Sequence, residues 1–309
     1  IMVIYETLGG MRSVAWSDVI QGVLLLVGVI LIFIVIQVEY GGMVTSAEII
    51  KSQNPEFFNP PNWTEKRLWI STIGLAFFGI SVYPHAIQRI YAAKDEHTLK
   101  RSLQIMVFMP LITTMFMMIV GWVGLAQFPN LDRQGSEQIT ILMLQDIGYR
   151  IPAMGMMIVL FLSAAIAAIM STVDSALLAI SAMVTKDLYG RLQPGKSQGE
   201  LIRIGKIFSW LIMGLAVLLA IKLPQTIWRL MEIKLELLCQ IAPAIFLGLH
   251  LKRLSSRAVL YGVIIGTIVA VIITLHPLLP TKPLGIHAGI WGLLINVLVL
   301  VFFQLRIHK

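Results

Sequence analysis

Eight runs of about twenty apolar residues follow one another along the chain, and hydrocarbon leaves a run of that length few ways to fold. Where no water reaches the backbone, every N–H and C=O must be satisfied within the structure, so a crossing segment is either a helix or a strand of a closed barrel. The runs lie at about 19–38, 69–88, 103–126, 154–178, 204–221, 230–250, 258–275 and 287–305, and they are continuous, whereas barrel strands alternate apolar and polar residues. With 57% hydrophobic and 13% charged residues, an ordinary soluble domain is excluded. The expected fold is an all-α polytopic membrane bundle, one transmembrane domain over residues 1–309. Residues 41–67 and 128–151 read as outer loops, the second with room for a short surface helix, and 186–203 as a cytoplasmic loop.

A net charge of +8 invites a nucleic-acid reading, but the placement of the basic residues argues against it. Fifteen Lys and Arg fall in alternate connections, among them Arg89, Lys94, Lys186, Arg191, Lys252 and Lys309, and eight are scattered through the opposite ones. By the positive-inside rule both ends of the segment face the cytoplasm, and the lipid bilayer, not nucleic acid, is the expected partner. The one cysteine, Cys239, lies within an apolar run and says nothing about redox compartment. Gly9-Gly10 reads as a sharp turn after the tail of an earlier helix. The sequence is therefore expected to be the C-terminal part of a longer protein.

The most informative polar residues lie inside the fourth run. From Gly155 to Tyr189 the pattern is one long apolar helix, interrupted at Ser171-Thr172-Val-Asp174-Ser175. A carboxylate at bilayer depth costs roughly 2.5 to 3.5 kcal/mol on insertion scales, a cost offset when something binds there. At about 100° per residue Ser171, Asp174 and Ser175 share one side, with Thr172 at its margin. Grouped oxygens suit a small hard cation. The structural alternative is that the hydroxyls bond back to the carbonyl four residues earlier.

Other residues offer weaker signals. Glu232 and Glu236 share a helix face and should line water or pair within the bundle, or, for Glu232, reach the outer interface. Asp18 suits a helix N-cap. Pro84 should kink or end the second run. Asn62-Trp-Thr64 fits a glycosylation sequon, which a Pro-flanked loop explains as well. No metal-spaced His pair, nucleophile elbow or phosphate loop occurs in a span, so an enzyme is not expected.

Four segments, taken together, resemble the sodium:solute symporter family: Tyr5 to Gln21 with its Trp16-Ser17-Asp18, Pro84-His85 through Arg89, Ser171-Thr172 with Thr185-Lys-Asp187-Leu-Tyr189, and Gln240-Ile-Ala-Pro243 through Lys252-Arg253. The resemblance implies a core of two inverted five-helix repeats, with the eight spans supplying its fifth helix onward plus extra C-terminal helices. It implies Na⁺ as coupling ion, held by the Ala168 carbonyl and the Ser171 and Thr172 hydroxyls. It implies a second ion position at Asp18 with Ser171, Asp174 and Ser175. The chain departs from the hydroxyl version there, because Asp174 stands where those members carry Ser, so this position could take Na⁺ or hold a proton. Phe78, Ser81, Glu232, Glu236 and Gln240 are the matching candidates for contact with a small-molecule solute. The implied function is sodium-coupled symport of a small organic solute across the cell membrane. Proton-coupled symport, or the membrane input module of a signalling protein, are the other readings.

Overall fold

The computed structural model describes residues 2–222, 226–251, 253–276 and 278–307, with side chains from Ala15 to Arg306, and helices are the regular structure among them. In chain order the main ones are α1 (Met2–Glu39), α2 (Gly42–Gln53), α3 (Trp63–Ile80), α4 (Pro84–Tyr91), α5 (Glu96–Gln127), α6 (Ile139–Arg150), α7 (Gly155–Met183), α8 (Gln198–Lys222), α9 (Ile227–Leu238), α10 (Ala242–His250), α11 (Ser256–Leu275) and α12 (Ala288–Ile307). Lys252, Lys309 and the side chain of Arg12, which enter the charge argument, lie outside the described residues.

Among the described residues six helices are long and apolar enough to cross a membrane: α1, α5, α7 with its continuation, α8, α11 and α12. The pair α3 and α4, bent by 46°, makes a seventh crossing if read as one span. The run at 230–250 forms two shorter helices, α9 and α10, joined by a tight turn over Cys239–Ile241. The reason is Pro243, which has no N–H to return to the Cys239 carbonyl. That carbonyl accepts instead from the Ala242 N–H, one residue early.

Four further expectations change. Gly9-Gly10 makes no turn: α1 runs through both, since glycine permits a break without compelling one. The stretch 41–67 holds α2 and the start of α3, which Asn62 caps by accepting from the Thr64 and Glu65 N–H groups at 2.9 and 3.0 Å. Within 128–151, α6 buries Met143, Leu144 and Ile147, an apolar stripe diluted in sequence by the polar residues around it. Over 186–203 the helical path continues to Leu192 and α8 begins at Gln198.

The chain divides into two compact units, residues 1–58 with 88–224 and residues 59–87 with 225–309. In the first, α1 lies along α7, close enough at Gly28 that a Cβ there would sit 3.3 Å from the Ala164 methyl. Val29, Ile32 and Ile36 of α1 meet Val120 and Val123 of α5, Phe161 of α7 and the buried stripe of α6. At the end of α1 the Tyr40 hydroxyl donates to Asp146 at 2.7 Å, and Arg150 pairs with Asp146 and Glu39. In the second unit α11 and α12 pack through small residues: a Cβ on Gly266 would lie 2.7 Å from the Gly292 carbonyl oxygen.

Candidate functional site

Antiparallel packing of α1 on α7 builds the first site. Ten residues before Gly28, about 15 Å along the axis, α1 presents Asp18. On α7 the corresponding advance from Ala164 reaches Ser171 and Ser175. The Ser171 hydroxyl donates to Asp18 Oδ1 in a short hydrogen bond. Arg89, near the end of α4, places Nη2 2.5 Å from Asp18 Oδ2 and 2.5 Å from Ser175 Oγ. Carboxylate, two hydroxyls and one guanidinium thus form a closed set, with Asp18 17% and Arg89 50% exposed.

Asp174 lies one turn from Ser171 on the same helix and is fully buried, and among the described residues neither of its carboxylate oxygens has a hydrogen-bond partner. An ionised carboxylate held dry without a partner is strongly unfavourable, so the position calls for a cation or a proton. Gln21, one turn along α1 from Asp18, adds a buried side-chain oxygen with no partner. Thr172 is exposed and donates back to the Ala168 carbonyl at 3.3 Å, the local alternative expected for such hydroxyls.

The structure therefore brings Asp18, Ser171 and Ser175 together, leaves Asp174 beside them unsatisfied, and joins Ala168 to Thr172 one turn away. The sequence left Arg89 without a role, though it closes the Pro84-to-Arg89 motif, and Gln21 was equally visible at the end of its own. What was missing was the approach of α4 to α1, which no local pattern encodes. Among the described residues no three His, Cys, Asp or Glu side chains form a metal-binding group. The oxygen set, rich in hydroxyls, fits a hard monovalent cation and not a transition metal.

The solute candidates fall in the second unit and divide in two. Phe78 stands edge-on to Phe77 and Phe246, and the Ser81 hydroxyl donates to the Phe77 carbonyl at 2.6 Å. Glu232, Glu236 and Gln240 are buried and engaged by their own unit. Glu232 accepts from Trp228, Arg229 and Lys282 at 2.8, 3.1 and 2.6 Å. Glu236 Oε2 accepts from Thr274 at 2.7 Å, and Gln240 Nε2 donates to the Gly289 carbonyl at 2.8 Å. Each of the three side chains pairs within the bundle through at least one polar atom, and Glu232 through both of its oxygens. Outside the spans, α5 begins at Asp95, whose carboxylate accepts from the Thr98 N–H at 2.7 Å, a bond that holds this carboxyl below its ordinary range.

Against known proteins, residues 1–266 match the model of the sodium:solute symporter family. A sodium/proline symporter of Salmonella typhimurium is 28% identical over 280 residues, covering 87% of this chain and 54% of that protein. A high-affinity proline transporter of Bacillus subtilis is 28% identical, covering 88% and 57%. A sodium/pantothenate symporter of Escherichia coli is 26% identical, covering 94% and 61%. The chain thus spans 54 to 61% of the length of these relatives. The solved structure of a Na⁺-coupled sialic acid symporter, substrate-bound and outward-open, superposes with a TM-score of 0.73 at 21% identity, covering 98% of this chain and 64% of that one. That likeness shows the fold, a polytopic helical transporter architecture.

Proposed function

Because the chain belongs to the sodium:solute symporter family, we propose that the protein containing it is a transporter, not an enzyme, and couples Na⁺ entry to uptake of a small organic solute. The observation that carries this reading is the convergence of Asp18, Ser171 and Ser175 from two helices onto one point, with the unsatisfied Asp174 beside it. Asp18, Ser171, Asp174 and Ser175 hold one ion, and Gln21 is placed to add an oxygen. Ala168 and Thr172, with Ser171, hold a second once the Thr172 hydroxyl releases the Ala168 carbonyl.

In this reading Arg89 is a tethered cation that keeps the Asp18 charge balanced until Na⁺ arrives and then withdraws. Ion binding favours the solute-accepting conformer, so ion and solute raise each other's affinity. At about 100 mV each entering charge supplies roughly 2.3 kcal/mol, enough alone to concentrate a solute more than about tenfold. Proline and pantothenate, named for the curated relatives, and sialic acid, named for the structural one, all carry a carboxylate, so a small organic acid or zwitterion is the solute class to try first. Phe78 and Ser81 are the proposed solute contacts, while Glu232, Glu236 and Gln240 hold the broken helix around them. Both ends of the segment face the cytoplasm, on the distribution of basic residues.

The test is uptake of radiolabelled proline, pantothenate and sialic acid into vesicles bearing the full-length protein, with Na⁺ or choline outside. Uptake of at least one should require Na⁺ and fall in Ser171→Ala. Accumulation indifferent to both would overturn the reading.

A further inference from the structure

In the second unit Glu236 of α9 faces His287 just before α12. Both side chains are 1% exposed, and Glu236 Oε1 lies 3.5 Å from His287 Nδ1. Among the described residues neither atom has a hydrogen-bond partner, although Glu236 Oε2 accepts from the Thr274 hydroxyl of α11. The gap is too short for a bridging water, which would need a hydrogen-bond length on each side.

The other ring nitrogen decides which atom carries hydrogen. His287 Nε2 lies 3.0 Å from Thr72 Oγ1 of α3. The Thr72 hydroxyl has a single hydrogen, and it points to the Leu68 carbonyl at 2.8 Å, the usual local bond of a helical threonine. Thr72 Oγ1 can therefore only accept from the ring, so Nε2 carries the hydrogen. In a neutral imidazole Nδ1 is then a bare acceptor, turned toward a carboxylate oxygen that is also an acceptor. Two buried lone pairs facing each other at this distance repel, and an ionised Glu236 beside a neutral ring would leave an unbalanced charge in a dry site.

We propose that Glu236 and His287 form a proton-binding site, holding one proton between Oε1 and Nδ1 at neutral pH. The pair then carries no net charge, and the contact becomes a hydrogen bond. No neighbouring group can take the proton's place. On α9, Glu232 is already matched by Arg229 and by Lys282 from the α11–α12 connection, and Lys234 lies over the Tyr83 ring. Cys239 turns its Sγ to the Glu236 and Gly289 carbonyls. The α3 groups are Ser71 and Thr72, α11 offers Thr274, and none of these is a cation. The proposal is independent of sodium coupling and stands or falls without it.

The test is nuclear magnetic resonance of the full-length protein in lipid nanodiscs, with ¹⁵N-histidine and ¹³C-glutamate labels. His287 and Glu236 would be assigned by the signals lost in His287→Asn and Glu236→Gln. At neutral pH the expected spectrum shows a hydrogen on Nε2 together with either a second hydrogen on Nδ1 or a protonated Glu236 carboxyl. In Glu236→Gln the amide N–H replaces the shared proton, and the ring becomes neutral with hydrogen on Nε2 alone. Thr72→Val, which keeps the shape of α3, removes the acceptor for Nε2. The ring should then move its hydrogen to Nδ1 and the extra proton should be lost. A neutral wild-type ring with hydrogen on Nδ1 beside an ionised Glu236 overturns the proposal, as does a Thr72→Val spectrum unchanged from the wild type.

Discussion

Asp18 receives hydrogen bonds from Ser171 and Arg89 at once, so it cannot give both oxygens to an ion while Arg89 stays in place. Two opposite predictions follow from that competition. Asp18→Asn removes the charge that recruits either cation, and sodium-dependent uptake should fall by about tenfold or more at limiting Na⁺, the scale of a lost charged ligand of roughly 1.4 kcal/mol. Arg89→Gln removes the competitor. The half-saturating Na⁺ concentration should drop by about threefold, a modest effect because the guanidinium is half exposed and its pair is worth about 1 kcal/mol at most. A rise in Arg89→Gln would show that the arginine assists the ion. Ser171, Asp174 and Ser175 were legible in the sequence because helical spacing groups them, whereas Asp18 was named as an ion ligand only through the family resemblance. Arg89 was not legible, since it reaches the cluster from another helix.

Elements carry the next set of consequences. A Cβ on Gly289 would lie 2.6 Å from Glu236 Cα, so α12 reaches α9 only because this position has no side chain. Gly289→Ala should cost about 1 to 3 kcal/mol, seen as a lowered melting temperature in detergent. At the end of α1, Tyr40 is affected first by burial and then by its bond to Asp146, and its phenol is pushed from 10.0 up to about 12. The folded state favours the neutral donor, so this contribution is complete below about pH 10 and is lost as the pH rises toward about 12. Tyr40→Phe should lose about 1 kcal/mol at neutral pH and show a flatter alkaline limb in a thermal melt. Long apolar helices were readable throughout, but the packed face of α6 was not. That face is three residues, Met143, Leu144 and Ile147, and only the packing of α1 and α5 around them shows that it is buried.

For the whole molecule, the sequence carried the class of fold and the general location of the polar centre, while the breaks in the helices came from tertiary context. Pro84 announced its bend, whereas Pro243 was absorbed into a run apolar enough to read as unbroken. Orientation remains a property of the entire chain and is testable as one. Cys239 is fully buried, so it should resist a membrane-impermeant maleimide. In intact cells Ser52→Cys, on the proposed outer side, should label at once, and Pro194→Cys should label only after the membrane is opened. The reverse order would invert the topology.

The broken helix between α9 and α10 has one more consequence. The Gln240 carbonyl at the break accepts from the Asn296 side chain of α12 at 2.7 Å, while the Gln240 amide reaches the Gly289 carbonyl of the same helix. The fracture is thus splinted by positions 49 and 56 residues downstream, and any swivel of α9 against α10 must drag α12 along or tear both splints. A hinge pinned in that way moves as a lever with its fulcrum outside itself.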